Sequence, residues 1–200
     1  MTAVVLASGN PGKLRELQML LAPLGFSLSP QSAFGIETPP ETGTTFIANA
    51  LLKARHASRV SGRPALADDS GIEVDALDGR PGVYSARYAG ADASDRDNLE
   101  KMLRELVAVS PEKRTCRYQG VIVLVNEAMA GEPLVALGTW EGRVATAPRG
   151  SGGFGYDPIF IPAGSERTAA EMSLEEKNAV SHRGQALRAL AAKLGALQTL

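Results

Sequence analysis

AVVLASGNPGK, at Ala3–Lys13, is a short apolar run that breaks into a glycine-containing turn. Two valines and a leucine without polar alternation mark a buried strand over Ala3–Ala7. Asn10 is placed as the N-cap of a following helix, with Pro11 at its first position, where a missing N–H costs nothing. Leu14, Leu17, Leu21 and Leu24 then recur at helical spacing, and Gly25 supplies the stop. Strand, turn and helix in that order predict an α/β protein. They also point backbone N–H groups and a positive helix end at whatever lies above the strand.

Further along, Thr45–Ser61 reads as a second helix with Phe46, Ala50, Leu51 and Ala54 on one face. Pro64–Ala67 is a strand expected to end on the acidic turn Asp68-Asp69-Ser70-Gly71, and Ile72–Leu77 is a further short strand. Gly79–Gly90 is a loop. Ser94 opens a third helix with Leu99, Met102, Leu103 and Leu106 inward. Arg117–Glu127 and Leu134–Ala147 form an antiparallel hairpin around Gly131-Glu132-Pro133. Ile159–Ile161 is a short strand. Ser173 with Glu176 has the capping-box pattern, and an alanine- and leucine-rich helix finishes the chain. With no repeat, linker or low-complexity tract, residues 1–200 are expected to form one domain: a mixed sheet with helices around it.

Composition narrows the function class. The 200 residues are 44 % hydrophobic and 22 % charged, ordinary for a soluble globular chain. A net charge of −1 lacks the electropositive field of a protein that tracks a nucleic-acid polymer. Cys116 is the single cysteine, which suits a reducing, cytoplasmic setting, and its β-patterned surroundings make it a buried small hydrophobe. The apolar N-terminal run is too short for a signal peptide or a membrane span.

Four places break the core-building pattern. Ser8, Gly9, Asn10, Pro11, Gly12 and Lys13 can cradle a phosphate, or can simply join strand to helix; no Ser or Thr follows the lysine, so this is not the GxxxxGK[ST] loop. Asp68 and Asp69 at a strand end suit Mg²⁺, which prefers oxygen ligands, or a solvated turn. Because side chains alternate along a strand, the two acids are expected to have different roles. Glu41 is a possible second metal ligand. Three glycines surround Phe154 in Ser151–Pro158, an arrangement that suits stacking on a nucleobase or a hairpin loop with an aromatic anchor. Lys177 and Ser181-His182-Arg183 are donors for a base acceptor oxygen, or a solvated helix start. Two histidines and one cysteine make a zinc site improbable.

Together these stretches are far more specific than any one. SGNPGK (8–13), ETGTTF (41–46), NALLKA (49–54), LADDSG (66–71), PGVYSARYAG (81–90), GGFGYDPIF (152–160) and EEKNAVSHRGQAL (175–187) closely resemble the inosine/xanthosine triphosphate pyrophosphatase family, the Ham1-type nucleotide pyrophosphatases. Ile47-Ala48 departs from it, since many relatives carry an acid before Asn49.

The resemblance implies an ITPase-like α/β fold, an elongated mixed sheet with flanking helices and two lobes around a central nucleotide-binding cleft. It implies a homodimer that uses Mg²⁺ to cleave dITP, ITP and XTP to monophosphate and pyrophosphate. Residue by residue, Ser8–Lys13 and Lys53 hold phosphate. Asp69 is general base and metal ligand, with Glu41 as a further ligand. Ser70 touches substrate, Phe154, Gly155, Tyr156 and Asp157 line the base and sugar pocket, and Lys177, His182 and Arg183 hold the base. A Maf-like enzyme acting on modified pyrimidine triphosphates and a non-catalytic nucleotide sensor are the alternatives. Phe154 and His182-Arg183 argue against the first, and the carboxylate of Asp69 argues against the second.

Overall fold

The structure is a computed structural model that describes residues 2–127 and 132–197. Among the described residues, six strands form one sheet in the order β2-β1-β3-β4-β5-β6. They are β1 (Thr2–Leu6), β2 (Phe26–Pro30), β3 (Ala65–Val74), β4 (Thr115–Val125), β5 (Leu134–Val144) and β6 (Phe160–Pro162). β1 runs parallel to β2, with Thr2 opposite Phe26, and parallel to β3, with Leu6 opposite Leu66. β5 and β6 are antiparallel. The sheet is therefore mixed, as expected. Parallel neighbours require crossover connections, and helices α1 (Pro11–Leu21) and α2 (Phe46–Ser61) lie in those crossovers.

Two compact units divide the fold. The first comprises Met1–Asp69, Gly120–Gly138 and Arg183–Leu200; the second comprises Ser70–Gln119 and Thr139–His182. In the first, strand alternation sends side chains to two cores. Val4, Leu6, Leu66 and Ile122 pack with Leu17 and Leu21 of α1 and with Ala186, Leu187 and Leu190 of α5 (His182–Leu197). Val5, Ala65, Ala67, Val121 and Val123 pack with Ala50, Ala54 and Ala57 of α2. In the second unit, Leu99, Met102 and Leu106, at the inward positions expected for α3 (Asp95–Glu105), pack with Ile72, Trp140, Ile159 and Phe160.

Local signals set the helix ends. Asn10 caps α1, its side chain accepting from the N–H groups of Gly12 and Lys13. Thr45 caps α2, and Gly62 closes it in the left-handed conformation. Ser173 and Glu176 form the reciprocal capping box expected.

Several expectations need correction. Leu24 is 45 % exposed, because α1 ends at Leu21 and a 3₁₀ turn rotates the next residues off the buried face. The acidic pair does not end a strand: β3 runs unbroken from Ala65 to Val74. It can do so because cations compensate both carboxylates where they lie. The helix start read at Ser181-His182-Arg183 is present, since α4 (Leu174–Val180) and α5 are separated by the extended residue Ser181, but His182 and Arg183 are buried there and not solvated. β4 and β5 are neighbours, as the hairpin reading requires, although Gly131 of the expected turn lies outside the described residues.

Cys116 is fully buried, and burial pushes its thiol well above the ordinary range. Native protein should therefore leave an aromatic disulfide reagent unconsumed, with one thiol appearing after denaturation in guanidinium.

Candidate active site

In the first unit the chain leaves β1 at Leu6, turns through Ser8-Gly9-Asn10 and enters α1. Ser8 Oγ accepts from Asn10 N at 3.1 Å, which tightens the turn. A side chain added at Gly9 would meet nothing within 4 Å, so an anion can approach its backbone closely. One turn into the helix, Lys13 Nζ lies 2.7 Å from Asp68 Oδ2. Burial, with help from nearby Arg183 and Lys53, lowers the Lys13 pKa against the opposing pull of Asp68.

Lys53 projects from α2 and lies 2.7 Å from Asp69 Oδ1 and 2.8 Å from Glu41 Oε1. Its ammonium also donates to the Asp68 carbonyl oxygen at 3.4 Å, and Lys13 donates to the same oxygen at 3.3 Å. Two lysines and three carboxylates, those of Asp68, Asp69 and Glu41, thus converge on the middle of β3. Burial works against the charge of Lys53, but Asp69 and Glu41 together outweigh it and raise its pKa. Burial is also the largest influence on Asp69, and it holds that carboxyl above the ordinary carboxylate range although Lys53 opposes the shift.

The two adjacent acids have separate partners, as alternation along a strand predicts. Asp68 pairs with Lys13 and with Arg183, whose Nε lies 3.1 Å from Asp68 Oδ1. A second guanidinium nitrogen of Arg183 lies 2.8 Å from Glu16 Oε2. Arg183 is 3 % exposed and Glu16 3 % exposed, so this is a buried ion pair. Burial disfavours the guanidinium charge, but the negative charges of Asp68 and Glu16 outweigh that penalty and push the Arg183 pKa further up.

Asn49 holds the turn that presents Glu41. Its Oδ1 accepts from Gly43 N at 2.8 Å, and a Cβ at Gly43 would stand 2.6 Å from that oxygen. Asn49 stands in the NALLKA stretch of the sequence but was given no role there. A buried asparagine one turn after a glycine-containing loop is the signal that could have marked it.

The second unit gathers Phe154, Gly155, Tyr156, Asp157, Lys177 and His182. Asp157 Oδ2 accepts from Lys177 Nζ at 2.7 Å and from Phe154 N at 2.9 Å, and Tyr118 donates to Oδ1 at 3.4 Å. Lys177 Nζ also stands 4.9 Å from the Phe154 ring centroid, within cation–π range. His182 is buried and stacks on Tyr118, with centroids 4.7 Å apart and planes 17° apart. Tyr156 is buried too, its hydroxyl donating to the Ser85 carbonyl at 2.8 Å. Ser70 follows Asp69 directly in β3 and is half-buried. Tyr118 escaped the sequence reading because it lies inside a strand run with no motif around it.

Gly153 and Gly155 flank Phe154 at φ +70° and +61°, backbone that an L side chain rarely adopts. A Cβ at Gly153 would also fall 2.0 Å from Asp157 Oδ2. Gly153→Ala should therefore displace Asp157 from Lys177 and raise the KM for substrate about tenfold or more, at a stability cost of roughly 1–3 kcal/mol. Steady-state kinetics and a thermal melt check both.

The Ham1 family model matches residues 4–193. The chain belongs to the Ham1 family. Membership decides between the two enzyme families that the sequence motifs left open. The dITP/XTP pyrophosphatase of Yersinia pseudotuberculosis is 56 % identical over 188 residues, which cover 94 % of this chain and 95 % of the relative. The dITP/XTP pyrophosphatase of Methylococcus capsulatus is 54 % identical over 194 residues, 97 % of this chain and 96 % of the relative. The solved structure of a HAM1 protein from Coxiella burnetii superposes with a TM-score of 0.87 at 48 % identity, covering 98 % of this chain and 99 % of that one. The open mixed sheet with flanking helices is thus the Ham1 fold.

Proposed function

We propose that this chain hydrolyses non-standard purine nucleoside triphosphates, dITP, ITP, XTP and dXTP, to the monophosphate and pyrophosphate. Such an activity clears deaminated purines before polymerases incorporate them. The observation that carries the reading is the convergence of Lys13, Lys53, Asp69 and Glu41 on β3, in a chain more than half identical along nearly its whole length to proteins named for that reaction. The whole chain, residues 1–200, is assigned to one pyrophosphatase domain.

Lys13 and Lys53 neutralise the triphosphate, and the Ser8–Gly12 turn receives it. Asp69 orients water and takes its proton as oxygen attacks the α-phosphorus, and the bond to the departing pyrophosphate breaks. A carboxyl held above the ordinary range is a better base than an exposed aspartate. Among the described residues no group of three or more His, Cys, Asp or Glu side chains could hold a metal. Magnesium needs fewer, since it is commonly bound through one or two carboxylates plus substrate phosphates. Asp69 and Glu41, already sharing one cation in Lys53, fit that donor set. Bound there, Mg²⁺ supplies charge neutralisation of the phosphates.

Phe154 stacks on the base, with Gly155, Tyr156 and Asp157 lining base and sugar and Ser70 touching substrate. Lys177, His182 and Arg183 are assigned to the base edge. Hypoxanthine and xanthine carry an O6 acceptor where adenine carries an amino donor, so donors here reward the first and reject the second. The working form is assigned as a cytoplasmic homodimer. Among the described residues no helix is long and apolar enough to cross a membrane.

A Mg²⁺-dependent panel of ITP, dITP, XTP, GTP, ATP and dTTP, with products separated by anion exchange, tests the reading. Monophosphate and pyrophosphate from the deaminated purines, far above the rest, are expected. Diphosphate plus phosphate, another base preference, or no turnover would overturn it.

A further inference from the structure

Phe154 sits on a hinge of two left-handed glycines, so its ring has no fixed position unless the backbone around it is tied down. Besides the Asp157 N–H, which donates to the Phe154 carbonyl at 3.2 Å, three N–H groups at and around the ring are tied. Gly152 donates to the Ala170 carbonyl at 2.9 Å, Phe154 to Asp157 Oδ2 at 2.9 Å, and Gly155 to Asp95 Oδ2 at 2.7 Å. The first acceptor is a backbone carbonyl, and the second lies three residues from its donor. Asp95 is different: it lies 60 residues away as the first residue of α3, and it is exposed.

α3 is a firm base for such a tie. Leu99 and Met102 are buried in the core of the second unit, and Asn98 is bonded to the Ala89 N–H at 2.7 Å and the Ala86 carbonyl at 3.1 Å. A carboxylate that accepts from a backbone N–H makes a charge-assisted bond, stronger than a neutral one. It holds the residue immediately after the ring, on the far side of Phe154 from Gly153.

We propose that Asp95 is a positioning residue for substrate: it acts through the Gly155 N–H to set Phe154 in the orientation that receives the base. The inference rests on the assignment of Phe154 to the base. Asp95 is exposed and lies outside the buried core of the second unit. Its loss therefore weakens substrate capture while the chemical step and the fold persist.

The test compares Asp95→Ala, Asp95→Asn and Phe154→Ala with the unaltered chain, using ITP and Mg²⁺. Asp95→Ala is expected to raise KM about tenfold, the equivalent of one lost charge-assisted bond, with kcat within about twofold. Its melting temperature stays unchanged, and amide exchange across residues 150–157 accelerates. Asp95→Asn keeps an acceptor oxygen and is expected to restore most of the KM. An unchanged KM in Asp95→Ala, a parallel loss of kcat and melting temperature, or failure of the asparagine variant to rescue would overturn the proposal. Should Phe154→Ala raise KM while Asp95→Ala does not, the role of Asp95 falls and that of Phe154 stands. Should Phe154→Ala leave KM unaltered, both fall.

Discussion

Asp69→Asn lowers kcat by roughly two orders of magnitude or more, with the protein still folded. The amide is nearly isosteric and can hydrogen-bond Lys53, but it cannot take a proton from water. Lys53 keeps Glu41 at 2.8 Å, so its buried charge is not stranded. Any metal contact through residue 69 also weakens, which adds to the loss. The pH profile carries a second signature. Burial raises the Asp69 carboxyl, and the base works only when ionised, so activity falls with acid at a pH above the ordinary carboxylate range. The sign for stability is opposite: a carboxyl raised in the folded state contributes stability below its unfolded pKa, and that contribution is lost as pH rises through the folded value. Asp69→Asn should remove the acid limb of kcat/KM. Near-normal turnover, or an unmoved acid limb, would sink the assignment of Asp69 as the base.

Arg183→Ala is expected to be the most destabilising of the single substitutions considered. It leaves Glu16 and Asp68 buried without their shared guanidinium, and breaking a buried pair by removing one partner costs about 3–5 kcal/mol. For a chain of this length that is a fall in melting temperature of roughly 6–20 °C. Asp68 retains its pairing with Lys13. A melt within 2–3 °C of the parent, about the shift of a single kcal/mol, would show that the cluster contributes little. The same variant bears on selectivity. Assayed at a temperature where it remains folded, it should lose ITP and XTP turnover more than ATP turnover if Arg183 reads the base. An equal loss on all three would leave Arg183 a purely structural residue.

Much of this protein was legible in the residues themselves. The opening strand, the Asn10 cap, the Thr45 and Ser94 helix starts and the Ser173–Glu176 box are all local interactions between residues a few positions apart. Short-range patterns encode them directly. β2 was missed although its signal was present: Phe26-Ser27-Leu28-Ser29 alternates apolar and polar, and Pro30 suits the sheet edge where the strand lies. The helix start at Ser181-His182-Arg183 was legible as well, and α5 begins at His182; what the sequence did not show is that His182 and Arg183 are buried there rather than solvated.

Of the site, the sequence by itself determined the cast: which lysines, acids and glycine-flanked aromatic stand outside core-building patterns, and that Asp68 and Asp69 would part company along a strand. Only the tertiary structure decided the pairings. Arg183 meets Glu16 across 167 positions of sequence, Gly155 meets Asp95 across 60, and Lys13 and Lys53 share the Asp68 carbonyl from two different helices. No local pattern carries such information. A buried charge is stable only beside its counter-charge, and which counter-charge arrives is set by sheet order, strand register and the helix faces packed against them.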